Sequence, residues 1–97
     1  MATYISLMNF TDQGMRTVKD TVARAEAAQK LAKEYGITFK SLHWTQGAYD
    51  LVSEVDAKDE ASMTAFGLDA ASRGNLRMQT LRAFNADEMK AIIAKML

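Results

Sequence analysis

His43 is the only histidine in the chain, and Asp50 follows it across a short glycine-containing link. Imidazole alone among side chains changes charge near neutrality without help from its surroundings. A carboxylate across a hairpin can orient it, so His43 and Asp50 together make a candidate general base. A lone histidine at the end of an edge strand carries weak information and is more simply read as a surface or hydrogen-bonded residue with no catalytic part. Trp44 and Tyr49 flank the same turn. They form either an aromatic wall for a planar ligand or a cross-strand pair that fixes the hairpin register. Asp50 has its own structural reading, as an aspartate that ties down the turn. Arg77 and Arg82 are candidate clamps for an anion, and Arg82 beside Tyr4 is also placed to bridge two subunits.

Metal and cofactor chemistry have little to stand on. Cysteine is absent, so disulfides, thiolate metal sites and a thiol nucleophile are all excluded. No second histidine completes a metal site with His43, and no metal is expected. Axial haem ligation rests on that one histidine alone, and the residues imply no particular cofactor.

These residues need elements to hold them. From Thr3 to Phe10 the chain is rich in apolar, β-branched and aromatic residues and reads as a strand. Thr11 and Asp12 then suit a helix start. The strong helical stretch runs from Asp20 to Tyr35, where Val22, Ala25, Ala28, Leu31, Ala32 and Tyr35 make one apolar stripe. Gly36 ends it in the left-handed conformation common after helices. Ile37 to Thr45 and Tyr49 to Asp56 are two more strands, joined by a link short enough only for a hairpin, in which Gly47 takes positive φ. A second helix spans Ala57 to Arg73, and the small residues on its narrow apolar face suggest close approach to the sheet. Asn75 to Phe84 is the fourth strand. Asn85 and Glu88 then match a capping box, with Phe84 and Met89 spaced as a hydrophobic staple, at the start of a last helix.

The order β-α-β-β-α-β-α combines two right-handed crossovers with one hairpin. Interleaving them gives an α+β ferredoxin-like βαββαβ sandwich with a C-terminal helix and antiparallel sheet order 4-1-3-2. Both crossover helices cover one face, and the other face has no cover within the chain. Ile5 and Leu7 suit the helix side of strand one, leaving Tyr4, Ser6, Met8 and Phe10 on the open side. On strand three Leu51 and Val55 suit the helices. The strand directions gather Asn9, Phe10, His43, Trp44, Tyr49, Asp50 and Arg77 at one end and Tyr4 and Arg82 at the other. Six residues of strand span about 20 Å, so Arg82 reaches the His43 end only from a second subunit. A second subunit stacked on the open face would enclose a partly polar cavity, so a homodimer or larger homo-oligomer is expected.

Length and charge set the outer limits. The 97 residues suit one domain, spanning 1–97, with a modest core. Twelve basic residues balance twelve acidic ones. A neutral chain has no field to attract a polyanion, which argues against nucleic acid and acidic membranes as partners. The RNA-binding modules of this topology need aromatic and basic residues on their central strands, and strand three carries Asp50 and Glu54 instead. The missing cysteines exclude a Cys-x-x-Cys metallochaperone. No run is long and apolar enough to span a membrane, and Met1-Ala2-Thr3-Tyr4 does not resemble a signal peptide. A cytoplasmic location is the expectation.

The run Trp44-Thr45-Gln46-Gly47-Ala48-Tyr49-Asp50 resembles the GYD-domain family, named for its Gly-x-Tyr-Asp stretch. The resemblance extends through Met1-Ala2-Thr3-Tyr4-Ile5, Asn9-Phe10-Thr11, Val18-Lys19-Asp20, Arg24-Ala25-Glu26-Ala27 and Gly74-Asn75-Leu76-Arg77 to Thr80-Leu81-Arg82-Ala83-Phe84. Val22 stands where family members often carry proline, and the prolines they often have near Ala57-Lys58 are missing too. The resemblance implies a dimeric α+β barrel and leaves activity open. Small monooxygenases, muconolactone-isomerase-like enzymes and haem proteins share that architecture, and borrowing their chemistry would be fold analogy.

Three functions compete on this reading. In the leading one, an oligomer binds a small molecule between subunit sheets near His43, Trp44, Tyr49 and Asp50. Its enzymatic version uses His43 as base and an arginine as anion clamp in a cofactor-free oxidation or isomerisation. In the third, a non-catalytic structural or stress-related oligomerisation module, the same residues only shape the hairpin and the interface.

Overall fold

The computed structural model describes residues 1–97. Four strands, β1 (Ala2–Phe10), β2 (Ile37–Trp44), β3 (Leu51–Ala57) and β4 (Leu76–Ala83), form one antiparallel sheet in the order β2-β3-β1-β4. This is the expected order read from the other edge. The first crossover opens with a short helix, α1 (Asp12–Arg16), and a 3-10 turn at Val18–Asp20 before the main helix α2 (Thr21–Glu34). The second crossover is α3 (Glu60–Ser72), and α4 (Ala86–Ile93) ends the chain's regular structure.

Local chemistry explains these boundaries. The Thr11 hydroxyl accepts the Gly14 amide and so caps α1. Gly14 is buried where a Cβ would run into the Asn75 carbonyl oxygen, so only glycine lets α1 lie against the start of β4. Strand β3 continues to Ala57, and α3 starts later than its apolar spacing suggests. Asp59 caps it by accepting the Ser62 amide at 2.7 Å, a bond that holds the carboxyl below its ordinary pKa. At α4 both halves of the capping box form between Asn85 and Glu88.

The core lies between the helices and one face of the sheet. Tyr4, Ile37, Val55 and Ala57 from the strands meet Ala32 of α2 and Met63 and Phe66 of α3. Phe66 is the hub, with ring centroids 6.0 Å from Tyr35 and 6.2 Å from Phe39. Burying a side chain of this kind is worth about 1.5–3 kcal/mol.

The strand faces correct the expected assignment for β1. Tyr4, Ser6 and Met8 are buried toward the helices, and Ile5 and Leu7 are the ones that face away. The register gives the reason: Tyr4 stands opposite Val55, Ser6 opposite Ser53 and Met8 opposite Leu51. Because neighbouring strands share a pleat, buried Leu51 and Val55 carry the alternate β1 residues inward with them.

Candidate functional site

The β2–β3 turn is built largely from its own hydrogen bonds. The Asp50 carboxylate accepts the Phe10 amide at 2.9 Å, and the Asp50 amide donates to the Met8 carbonyl at 2.9 Å. Together these bonds tie the turn to the end of β1. The Thr45 amide donates to the Asp50 carbonyl and the Thr45 hydroxyl to the Tyr49 carbonyl, closing the loop around Gly47, whose φ is 100°. Asp50 thus bonds to backbone groups and not to His43. His43 is exposed and sits opposite Val52.

Trp44 and Tyr49 diverge rather than forming one wall. The Trp44 indole donates to the Thr21 hydroxyl at 3.0 Å, fastening the end of β2 to the first turn of α2. The Tyr49 hydroxyl reaches the Gln79 amide oxygen at 3.4 Å. Gln79 and Arg77 pair with Leu7 and Asn9, so Tyr49, Gln79, Arg77 and His43 share the open side of the sheet. Trp44 is on the other side.

Tyr4 and Arg82 sit together at the far end, directly opposite one another on β1 and β4. The Arg82 guanidinium lies 5.7 Å from the Tyr4 ring centroid and 4.5 Å from that of Phe84, and it approaches the Glu88 carboxylate at 3.8 Å. Both residues belong to the helix side, where the Tyr4 hydroxyl is buried without a hydrogen-bond partner. The sequence candidates therefore fall into four places: an open-face group, a backbone-bound turn carboxylate, Trp44 against α2, and Tyr4 with Arg82 at the far end of the helix side.

The open face itself has an apolar centre and charged margins. Ile5, Leu7 and Val52 are half-buried and Leu81 is 39% exposed. Toward the end of β3 Lys40 bridges Glu54 at 3.1 Å and Asp56 at 4.0 Å, and the Glu54 bond raises the lysine pKa. A register shift between Phe39 and Ser41 marks a bulge at Lys40. Arg77 stands at the opposite end. No group of three or more His, Cys, Asp or Glu gathers to hold a metal, and no helix is long and apolar enough to cross a membrane.

Cavities occur on the helix side. One of about 370 Å³ lies between α2 and α3, and one of about 440 Å³ lies between α3 and β4 beside Tyr4 and Arg82. At one end α2 and α3 are joined by the Tyr35 hydroxyl, which donates to Asp69 at 2.6 Å. That bond lowers the Asp69 pKa and raises that of Tyr35. Sequence reasoning did not single out the cavity residues. The signal available was the run of small residues on both crossover helices, which leaves space where larger side chains would fill it.

The GYD-domain family model matches residues 4–93. A Thermus thermophilus protein named glutamine synthetase and cystathionine beta-lyase binding protein is 34% identical over 92 residues, covering 94% of this chain and 97% of the relative. A crystal structure of a Thermus thermophilus protein superposes with a TM-score of 0.57 at 24% identity, covering 89% of this chain and 96% of that one. A hypothetical protein from Pyrococcus horikoshii gives a TM-score of 0.55 at 18% identity, covering 88% and 92%. The chain belongs to the GYD-domain family.

Proposed function

We propose that this GYD-domain protein is a non-catalytic binding module that pairs with a second copy through its open sheet face and engages metabolic enzymes as partners. One observation carries the reading: two large aliphatic residues of β1, Ile5 and Leu7, are on the face that the chain's own helices leave bare. A residue set chosen for water would put its polar members there. Val52 and Leu81 continue the same patch across β3 and β4. Lys40 and Arg77 balance Glu54 and Asp56 around it, so two copies of the face meet without net repulsion. Only 12 of 97 residues are buried, a small core that gains from further burial in a pair.

The chain also carries apolar surface beyond that face. The molecule measures 51 × 31 × 18 Å with a radius of gyration of 14.6 Å, against about 13 Å for a compact chain of this length. On α4 Met89 and Ile93 are exposed, as are Phe84 before it and Met96 after it. An eight-residue helix is marginal in water without packing, so this segment suits a contact surface for a partner protein. The Thermus relative supplies the first candidates by its name: glutamine synthetase and cystathionine beta-lyase.

The test is sedimentation velocity on the full chain alone and with each purified enzyme. The reading predicts a dimer or larger species alone and a faster-moving complex with at least one enzyme. A chain that stays free of both enzymes contradicts the partner assignment.

A further inference from the structure

We propose that the gap between α2 and α3 is a binding site for a carboxylate with an apolar body. This goes beyond the reading above and concerns the opposite side of the sheet. The cavity holds about 370 Å³, at the lower end of the roughly 300–1,000 Å³ typical of small-molecule sites. Ala25 and Ala28 of α2, Ala70 of α3, and Leu51 and Leu76 of the sheet give it apolar walls. A smaller void of about 50 Å³ shares those five residues and extends the space inward to Ser6.

Polar groups stand at both ends of this space. At the inner end Ser6 is 1% exposed, and its hydroxyl has no hydrogen-bond partner. This hydroxyl is uncharged, so the inner end offers no counter-charge and the ligand's charged group belongs at the outer end. At the outer end Arg24 lines the cavity. Its guanidinium donates to the Thr17 carbonyl at 2.9 Å, the Thr17 hydroxyl at 2.7 Å and the Gly14 carbonyl at 3.2 Å. All three acceptors are neutral, so the group is fixed in place with its charge uncompensated. Arg73, also on the wall, is paired with Asp69 at 3.2 Å. That pair is neutral, which leaves Arg24 as the net positive charge at the rim. An oriented arginine beside an apolar sleeve selects a carboxylate head and an apolar tail.

Trp44, the single tryptophan, bonds to Thr21 at the cavity wall and gives a fluorescence reporter. Decanoate and 2-naphthoate would be titrated into the full-length protein, with decanol as the uncharged control. Amide chemical shifts would locate the ligand. Saturable binding of at least one acid is expected, with shifts at Ala25, Ala28 and Ala70. The acid that binds more tightly identifies the ligand body as aliphatic or aromatic. Arg24→Gln should weaken that acid by about tenfold or more, as loss of a charge-assisted hydrogen bond does. It should leave decanol unchanged, and Arg24→Lys should restore part of the loss. Ala28→Phe should abolish binding by filling the sleeve, with Ala70→Leu as a second blocking variant if the first does not fold. The proposal is overturned if neither acid binds, or if Arg24→Gln binds as tightly as the original protein. Shifts confined to Ile5 and Leu7, or to Met89 and Ile93, would also overturn it, since they would place the acid on the exposed apolar surfaces.

Discussion

The two faces of the sheet use the same strands and are finished in different ways. Toward the helices, β1 presents Tyr4, Ser6 and Met8, and β3 presents Leu51, Ser53 and Val55. Toward the open side, the same strands present Ile5 and Leu7, with Val52, Glu54 and Asp56. The covered face thus contains two serines and spare volume, and the bare face contains two of the most apolar residues on β1. The β1 pattern therefore supplies apolar residues to both faces. An apolar residue is informative about burial, but it does not say which chain supplies the cover.

Substitutions on the two faces should break different things. Phe66→Ala removes the ring that both Tyr35 and Phe39 pack against, and should cost about 3–5 kcal/mol of folding stability. Urea unfolding would show this as a lower midpoint with the slope retained. Leu7→Asp on the open face should leave the fold in place while weakening self-association on the order of 100-fold, about 2.8 kcal/mol. Sedimentation equilibrium measures it, and far-ultraviolet circular dichroism checks the fold. If Leu7→Asp unfolded the chain and Phe66→Ala only dissociated it, the comparison would be reversed.

Smaller effects sharpen the contrast at its edges. Asn85→Ala removes one half of the capping box on α4 and should cost that helix about 1 kcal/mol. Hydrogen exchange should quicken in Ala86–Ile93 and stay unchanged in β1, because α4 lies outside the core. The smallest effect concerns the tie between the two crossover helices. Asp69 has a folded pKa below its ordinary 3.8, chiefly through the Tyr35 hydroxyl. Its contribution is therefore present above pH 3.8 and is lost as pH falls through the lower folded value. Asp69→Asn should lower the melting temperature at neutral pH, and the difference from the unsubstituted protein should shrink in acid.

Much of the fold is legible in the residues, for local reasons. The hairpin limit at Gly47, the caps at Thr11 and Asn85 and the two crossovers act through near neighbours, and they lead to the observed sheet order. The face of β1 was not legible, because Tyr4-Ile5-Ser6-Leu7-Met8 offers apolar residues on both alternations. Only pairing with Val55 and Leu51 decides between them, and that pairing is a long-range fact. The start of α3 is hidden for a related reason: Ala57 and Lys58 look helical, while Asp59 caps later and Ala57 completes β3.

The candidate site was legible in part. Asp50 matches its structural reading by tying the turn to Phe10, whereas Trp44 leaves Tyr49 and bonds to Thr21 of α2. The division of His43, Tyr49 and Arg77 from Tyr4 and Arg82 follows from strand direction and register together. The cavity between α2 and α3 was hidden because small residues admit two outcomes, close packing or empty space. At Gly14 they give the first, and at Ala25, Ala28 and Ala70 the second.

The central claim is that a second copy covers the open face. Sedimentation equilibrium on the full chain beside Leu7→Asp tests it most directly. The account predicts a dimer or larger oligomer for the unsubstituted protein and a folded monomer for the variant. A folded monomer in both cases, at concentrations where dimers of this size form, would contradict it.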